Sequence, residues 1–300
     1  MKVPVRMRVR WLQKSFAALA ALGLAACSPL GALNRVEGIG NNGGVRQVAE
    51  GQLFGSDPRQ RLDVYAPPSA KNAPVLVFFY GGSWSSGQRQ DYKFAAQAFA
   101  RRGFVVVVPD YRLVPQVKFP AFVQDGATAI RWTRDNIELL GGDPKRITVA
   151  GHSAGGYIAM MLALDPQWLK EAGAPGAIRA GVGLAAPVDF YPFGRGRAYD
   201  GFRDAADPKA TQPINFASAA APPLLLLHGD DDTTVYPRNS RNLAAALTKA
   251  GARVETKEYP GLGHIGILLS LTKRFKGKVS ALDDSVEFLT RETAPPKTAS

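Results

Sequence analysis

Ile147-Thr148-Val149-Ala150-Gly151-His152-Ser153-Ala154-Gly155-Gly156 is the stretch on which the fold turns. Its first four residues are apolar or β-branched and predict a short buried strand; from about Gly156 to Leu164 apolar residues follow at helical spacing. Between the two stands Gly-x-Ser-x-Gly, in the strand-turn-helix context that a nucleophile elbow requires. Such a turn holds its central residue in a strained conformation, and only small neighbours let helix and strand pack closely. Ser153 is then raised above the sheet, with a helix N-terminus beneath it to favour developing negative charge.

Outward from this stretch, strand-like and helix-like segments take turns. Val45 to Leu53 and Arg61 to Tyr65 flank the turn-rich Gly55-Ser56-Asp57-Pro58 and predict an antiparallel hairpin. Val75 to Tyr80, Phe104 to Val108, Gly181 to Ala185, Leu224 to Leu227 and Val254 to Tyr259 complete the strands. Most are continuous apolar runs, as expected of strands covered on both faces. Tyr92 to Arg101, Val123 to Asn136, Gly155 to Leu164, Asn239 to Ala250 and Asp283 to Arg291 read as helices. The alternation predicts an α/β fold, a mostly parallel central sheet with helices on both faces, and such sheets bind ligands at the carboxyl ends of their strands. Pro187 to Ser218, with Phe190, Tyr191, Phe193, Tyr199 and Phe202 among glycines and charges, is expected to form a small lid insertion at that edge.

A serine hydroxyl is a weak nucleophile until a base takes its proton, and the chain has three histidines. His152 is held by the turn next to the serine, and His228 closes a buried strand. His264, in the glycine-containing loop Tyr259 to His264, is therefore the expected base. A carboxylate should fix its tautomer, and Asp230, Asp231 and Asp232 all follow the strand Leu224 to Leu227 directly. Position alone leaves the three open. Gly81-Gly82-Ser83-Trp84 ends another strand, and its unencumbered N–H groups suit an oxyanion hole in which Gly82 and Ser83 join the N–H of Ala154.

Together these motifs resemble the esterase/lipase branch of the α/β-hydrolase superfamily, which contains the hormone-sensitive-lipase-like and kynurenine-formamidase-like carboxylesterases. The resemblance runs from about Leu62 to His264. It includes Asp110-Tyr111-Arg112-Leu113, Phe119-Pro120, Asp125 and Gly142-Asp143-Pro144, which are scaffold residues in the family, and Tyr111 and Arg112 are expected to brace the site. His228-Gly229-x-x-Asp232-x-x-Val235 matches the family's acid motif, so the resemblance implies Asp232 as the acid and a chain order of Ser, Asp, His. It implies a serine carboxylesterase acting on small or short-chain esters through an acyl-enzyme, with no cofactor and no metal. An arylformamidase or other amidase, or a peptidase-like hydrolase, would use the same triad; a surface-anchored binding protein would merely keep the fold. One departure stands out: the family's oxyanion motif usually opens with histidine, and this chain has Tyr80 there.

The N-terminus carries a separate message. Lys2, Arg6, Arg8, Arg10 and Lys14 precede an apolar stretch from Phe16 to Ala26 that is too short to span a bilayer, the layout of an export signal over residues 1–26. Leu24-Ala25-Ala26-Cys27 resembles the lipobox of bacterial lipoproteins, and Cys27 is the chain's sole cysteine. The resemblance implies acylation of Cys27, and Ser28 after it favours the outer membrane. Residues 27–44 are expected to be a flexible tether, 45–294 the catalytic domain and 295–300 a tail. The formal charge is +12, of which the five early basic residues supply +5. The modest remainder is scattered apart from Lys273, Arg274, Lys276 and Lys278, and predicts no nucleic-acid partner.

Overall fold

The computed structural model describes Asn34, residues 43–272 apart from 195, 197 and 198, and residues 281–295. The expected signal, Cys27, nearly all of the tether, the basic run from Lys273 to Lys278 and the end of the tail lie outside the described residues. Asn34, inside the expected tether, accepts a 2.9 Å hydrogen bond from the Phe94 N–H and donates to the carbonyls of Gln90 and Asp91.

Eight strands form one sheet: β1 (Arg46–Leu53), β2 (Arg61–Ala66), β3 (Ala73–Phe79), β4 (Val105–Pro109), β5 (Gly142–His152), β6 (Ile178–Leu184), β7 (Leu224–Gly229) and β8 (Val254–Tyr259). Their order is β1-β2-β4-β3-β5-β6-β7-β8. β1 and β2 form the expected antiparallel hairpin, β2 runs antiparallel to β4, and every later pairing is parallel. β4 and β7 are wholly buried, and β3, β6 and β5 from Ile147 onward nearly so, which explains why these stretches run apolar without alternation.

The helices are α1 (Lys93–Ala100), α2 (Ala121–Asn136), α3 (Ala154–Leu164), α4 (Pro166–Glu171) and α5 (Arg238–Ala250), which lie on crossovers between strands, and α6 (His264–Leu269) and α7 (Ala281–Glu292), which follow β8; the β6–β7 crossover holds only two 3-10 turns among its described residues. α3 is apolar and buried around nearly its whole girth, whereas α5 and α7 present one apolar stripe to the sheet and a charged face to solvent.

Two boundaries differ from the sequence reading in a way that matters for the site. β5 extends beyond Ile147 to Ala150 at both ends, because Gly142 pairs with Ala73 and His152 pairs with Leu184. α3 begins at Ala154 rather than near Gly156. Strand therefore becomes helix across Ser153 alone, a tighter junction than composition suggests.

Candidate active site

The junction is strained and crowded. Ser153 has φ 55 and ψ −123, and its carbonyl accepts from the Tyr157 N–H at 3.0 Å as α3 begins. A Cβ on Gly155 would lie 2.1 Å from the carbonyl oxygen of Phe79, and one on Gly156 2.8 Å from Ala186 Cβ. No side chain fits there, which is the physical content of the glycines in the motif. Ser83, Trp84 and Ala185 also have positive φ, at 52, 56 and 47. Such non-glycine strain costs about 1–3 kcal/mol per residue and persists where the surroundings over-determine it.

Asp232, His264 and Ser153 come together. His264 Nδ1 lies 2.7 Å from Asp232 Oδ2; a carboxylate accepts, so Nδ1 carries the hydrogen. His264 Nε2 is then free to accept from the Ser153 hydroxyl, 2.9 Å away. The other carboxylate oxygen of Asp232 accepts from the N–H groups of Thr234 and Val235, each at 2.9 Å. Burial alone would push the Asp232 carboxyl up. The hydrogen-bonding contributions of His228, His264 and the Val235 N–H outweigh burial and hold the carboxyl well below the usual carboxylate range.

The remaining two aspartates bind the loop that carries the histidine. Asp230 accepts from the Gly261 N–H at 2.7 Å, and the Asp231 N–H donates to the Leu262 carbonyl at 3.1 Å. His264 does not sit within the glycine-containing loop as expected; it opens α6, with Gly263 as the N-cap. His228 is fully buried, its Nε2 2.7 Å from the Val235 carbonyl and its Nδ1 2.8 Å from Ser240 Oγ. It serves the acid loop and stays away from Ser153.

Gly82 and Ser83 follow the end of β3, where a Cβ on the neighbouring Gly81 would lie 3.2 Å from Ser153 Cβ. Neither N–H has a protein acceptor among the described residues, and the Ala154 N–H, at the start of α3, precedes that helix's own ladder. The Gly82 carbonyl accepts from the N–H groups of Ser85 and Ser86, both at 3.0 Å, which curls the segment into a compact turn.

The neck of that turn is where sequence reading fell short. The Tyr80 hydroxyl donates to Asp110 at 2.7 Å and accepts from Arg59 at 3.0 Å; burial, then the neighbouring Tyr111 and Asp110, push its pKa well up and keep it a donor. Arg59 also donates to the carbonyls of Tyr111 at 2.7 Å and Gly87 at 2.5 Å. Asp110 further accepts from the Arg89 N–H at 2.7 Å and from its guanidinium at 2.6 Å. Both ends of the turn are thus held by one arginine and one carboxylate. Arg59 and Arg89 carried no sequence signal: Arg59 lies about twenty residues before the Gly82 turn, and Arg89, although close after it, sits in a polar stretch with no periodic pattern. Of the two residues expected to brace the site, Tyr111 reaches the neck of the turn, its hydroxyl donating to the Tyr80 carbonyl at 2.9 Å, whereas Arg112 pairs with Asp125 at 2.7 and 3.0 Å.

The segment expected as a lid lies on the body. Phe202 and Tyr157 are fully buried, Trp84 packs edge-on against both, and the Tyr157 hydroxyl donates to the Thr211 carbonyl at 2.8 Å. Asn239 and Gln212 side-chain oxygens accept from the N–H groups of Val188, Asp189, Phe190 and Tyr191. Among the described residues, no group of three or more His, Cys, Asp or Glu is placed to hold a metal ion, and no helix is long and apolar enough to cross a membrane.

Comparison with known proteins fits this geometry. Residues 62–195 match the family model BD-FAE, a span that includes the Gly82 turn and Ser153 and ends before Asp232. Esterase LipC of Mycobacterium tuberculosis is 38% identical over 146 residues, 46% of this chain and 36% of that protein. Carboxylesterase NlhH of the same organism is 43% identical over 114 residues, 37% and 35% of the two chains. The matched stretch therefore spans about a third of the length of these curated relatives. Among solved structures, propionate-bound esterase 2 of Thermogutta terrifontis superposes with a TM-score of 0.69 at 27% identity, covering 85% of this chain and 98% of that one. The form phosphonylated by sarin gives 0.68 at 27%, covering 83% and 97%. With its sheet order, its strained serine between β5 and α3, and this likeness over nearly the whole of a solved esterase, the chain has the α/β-hydrolase fold.

Proposed function

We propose that the protein is a serine carboxylesterase that hydrolyses small or short-chain carboxylic esters through an acyl-enzyme intermediate. The observation that carries this reading is the continuous line of hydrogen bonds, 2.7 and 2.9 Å long, from Asp232 through His264 to Ser153. Support also comes from the Gly82 and Ser83 N–H groups, which have no protein acceptor among the described residues, and from the Ala154 N–H at the start of α3. The names of the relatives support ester chemistry, and the Thermogutta esterase reacts with the organophosphorus compounds sarin and paraoxon.

In this reaction His264 Nε2 takes the Ser153 proton as Oγ attacks the ester carbonyl carbon, and the three amides receive the oxyanion. Asp232 holds the resulting imidazolium. Collapse expels the alcohol, which leaves with the proton from His264, and the acyl group remains on Ser153. Water then attacks the acyl-enzyme, gives its proton to His264 and releases the acid by the same path. Turnover of p-nitrophenyl esters of graded acyl length by the purified protein tests the reading. Ser153→Ala should lose turnover by on the order of 10³-fold or more, and should no longer take a fluorophosphonate label. Equal rates in the two proteins would remove the serine mechanism.

We further propose that the chain is exported and anchored to the cell envelope through lipid on Cys27. Support comes from the charged, apolar and small-residue succession of residues 1–27. Radiolabelled palmitate should enter the wild type and not Cys27→Ala; equal incorporation would rule the anchor out.

A further inference from the structure

His152 precedes the nucleophile, is 2% exposed, and has its ring 4.7 Å from that of His264, centroid to centroid. Its Nε2 lies 3.0 Å from the backbone carbonyl oxygen of His264. A carbonyl only accepts, so Nε2 carries the hydrogen and Nδ1 is left with a lone pair. Nδ1 is buried without a hydrogen-bond partner, and a Cβ built on Gly81 would lie 3.1 Å from it. The groups that face the ring are His264, Asp232 and His228. Burial first, and then His264, push the imidazole down to about 3, and so it stays neutral beside a ring that must itself become cationic.

The loop before His264 contains Gly261, at φ 72, and Gly263, and α6 has six residues. A base on so short and glycine-rich a support needs anchors from outside. The bonds from Asp230 to Gly261 and from Asp231 to Leu262 fix it relative to the acid loop. They do not fix it relative to Ser153. The His264–Ser153 hydrogen bond does, but that bond is given up in every cycle when the proton moves and the oxygen becomes acylated. The bond from His152 joins the serine's own turn to the backbone of the base, and proton transfer leaves it intact.

We propose that His152 is a positioning residue: its Nε2–H holds the His264 backbone to the nucleophile turn and so sets the separation of base and hydroxyl through the whole cycle. The inference rests on the serine-esterase reading given above. It explains why a fully buried imidazole stands where the Gly-x-Ser-x-Gly pattern itself leaves the residue open.

The test uses three substitutions in the full protein, followed with a p-nitrophenyl ester. In His152→Gln the amide nitrogen falls near the place of Nε2 and can still donate to the His264 carbonyl; in His152→Asn it falls short, and His152→Leu removes the donor. We expect kcat to stay within about threefold of wild type for Gln, and to fall by about 10–100-fold for Asn and Leu with KM changed less than about threefold. Asn or Leu with wild-type kcat, or Gln as impaired as Leu, overturns the proposal. A readout independent of how well the variants fold is the ¹⁵N spectrum of histidine-labelled wild type. The His152 ring, assigned by its loss in His152→Gln, should remain the neutral Nε2–H tautomer from pH 8 to pH 5; a hydrogen on Nδ1 in that range overturns the proposal. Ser153→Ala separates the two levels. If it is inactive while His152→Asn matches wild type, only the positioning role falls; if it turns over normally, both fall.

Discussion

Tyr80 and Asp110 are joined by a 2.7 Å hydrogen bond at the neck of the turn that carries Gly82 and Ser83. The phenol reaches further than an imidazole would, and it meets Arg59 on its other side. The hydrogen bonding that the superfamily's usual histidine would supply is therefore replaced by a buried network of Tyr80, Asp110, Arg59 and Arg89.

Removing that hydroxyl should loosen the turn without removing a reacting group. Tyr80→Phe leaves a buried carboxylate oxygen one donor short and costs about 1–3 kcal/mol of stability, read by urea unfolding. The amides would be held less firmly where the oxyanion develops, so kcat should fall by about tenfold while KM stays near wild type. Unchanged kcat in a folded variant would show that the network serves stability alone.

The three neighbouring aspartates should separate cleanly by substitution to asparagine. Asp232→Asn keeps the shape but presents the wrong partner to His264 Nδ1, and a loss on the order of 10³–10⁴-fold in kcat is expected. Asp230→Asn weakens the hold on Gly261 and should cost no more than about tenfold. The Asp231 side chain is exposed and its backbone makes the contact, so Asp231→Asn should be close to wild type. Steady-state rates on one ester check all three.

Stability should fall as the solution is acidified, and His152 is one named cause. Its imidazole is pushed down to about 3 in the fold, whereas in the unfolded chain it titrates near 6.5. Below about pH 6.5 the unfolded chain therefore binds a proton that the folded protein refuses, and stability drops until the pH nears 3. Between pH 7 and pH 5 this contributes a loss of about 2 kcal/mol. The depressed Asp232 carboxyl adds stability above about pH 4, the ordinary carboxylate value, that is lost only at lower pH. Urea midpoints at pH 7 and 5 for wild type and His152→Gln isolate the histidine, since the variant should lack that share of the decline.

Gly155→Ala tests how tightly helix and sheet meet. A Cβ there would stand 2.1 Å from the Phe79 carbonyl oxygen, and backbone cannot yield as a flexible side chain can. The expected destabilisation is at least about 3 kcal/mol, the upper range for single substitutions. A thermal midpoint within a few degrees of wild type would mean that β3 and α3 can move apart.

Much of this was readable from the chain. Ser153 and the strand before it, the helices from Tyr92 to Leu164 and the hairpin at the N-terminal edge all declared themselves through patterns of a few to a dozen residues. His264 emerged by elimination, although it opens a helix of its own rather than ending the loop. α4 was missed because six residues behind a proline are too few for a periodic signal. The ring of Trp84, Tyr157, Phe190 and Phe202 that seats the 187–218 segment was visible only as scattered aromatics.

By itself the amino-acid sequence determined the alternation of strand and helix, the turn that lifts Ser153, and the short list of side chains able to activate it. These rest on local sterics and periodicity, which neighbouring residues impose on one another. Only the tertiary structure decided that Asp232 faces His264 while Asp230 and Asp231 tie down its loop, that His152 meets the His264 backbone carbonyl, and that Arg59 reaches across to Tyr80 and Gly87. Those contacts join residues distant along the chain, and a hydrogen bond depends on tenths of an ångström and on direction, which no local pattern encodes.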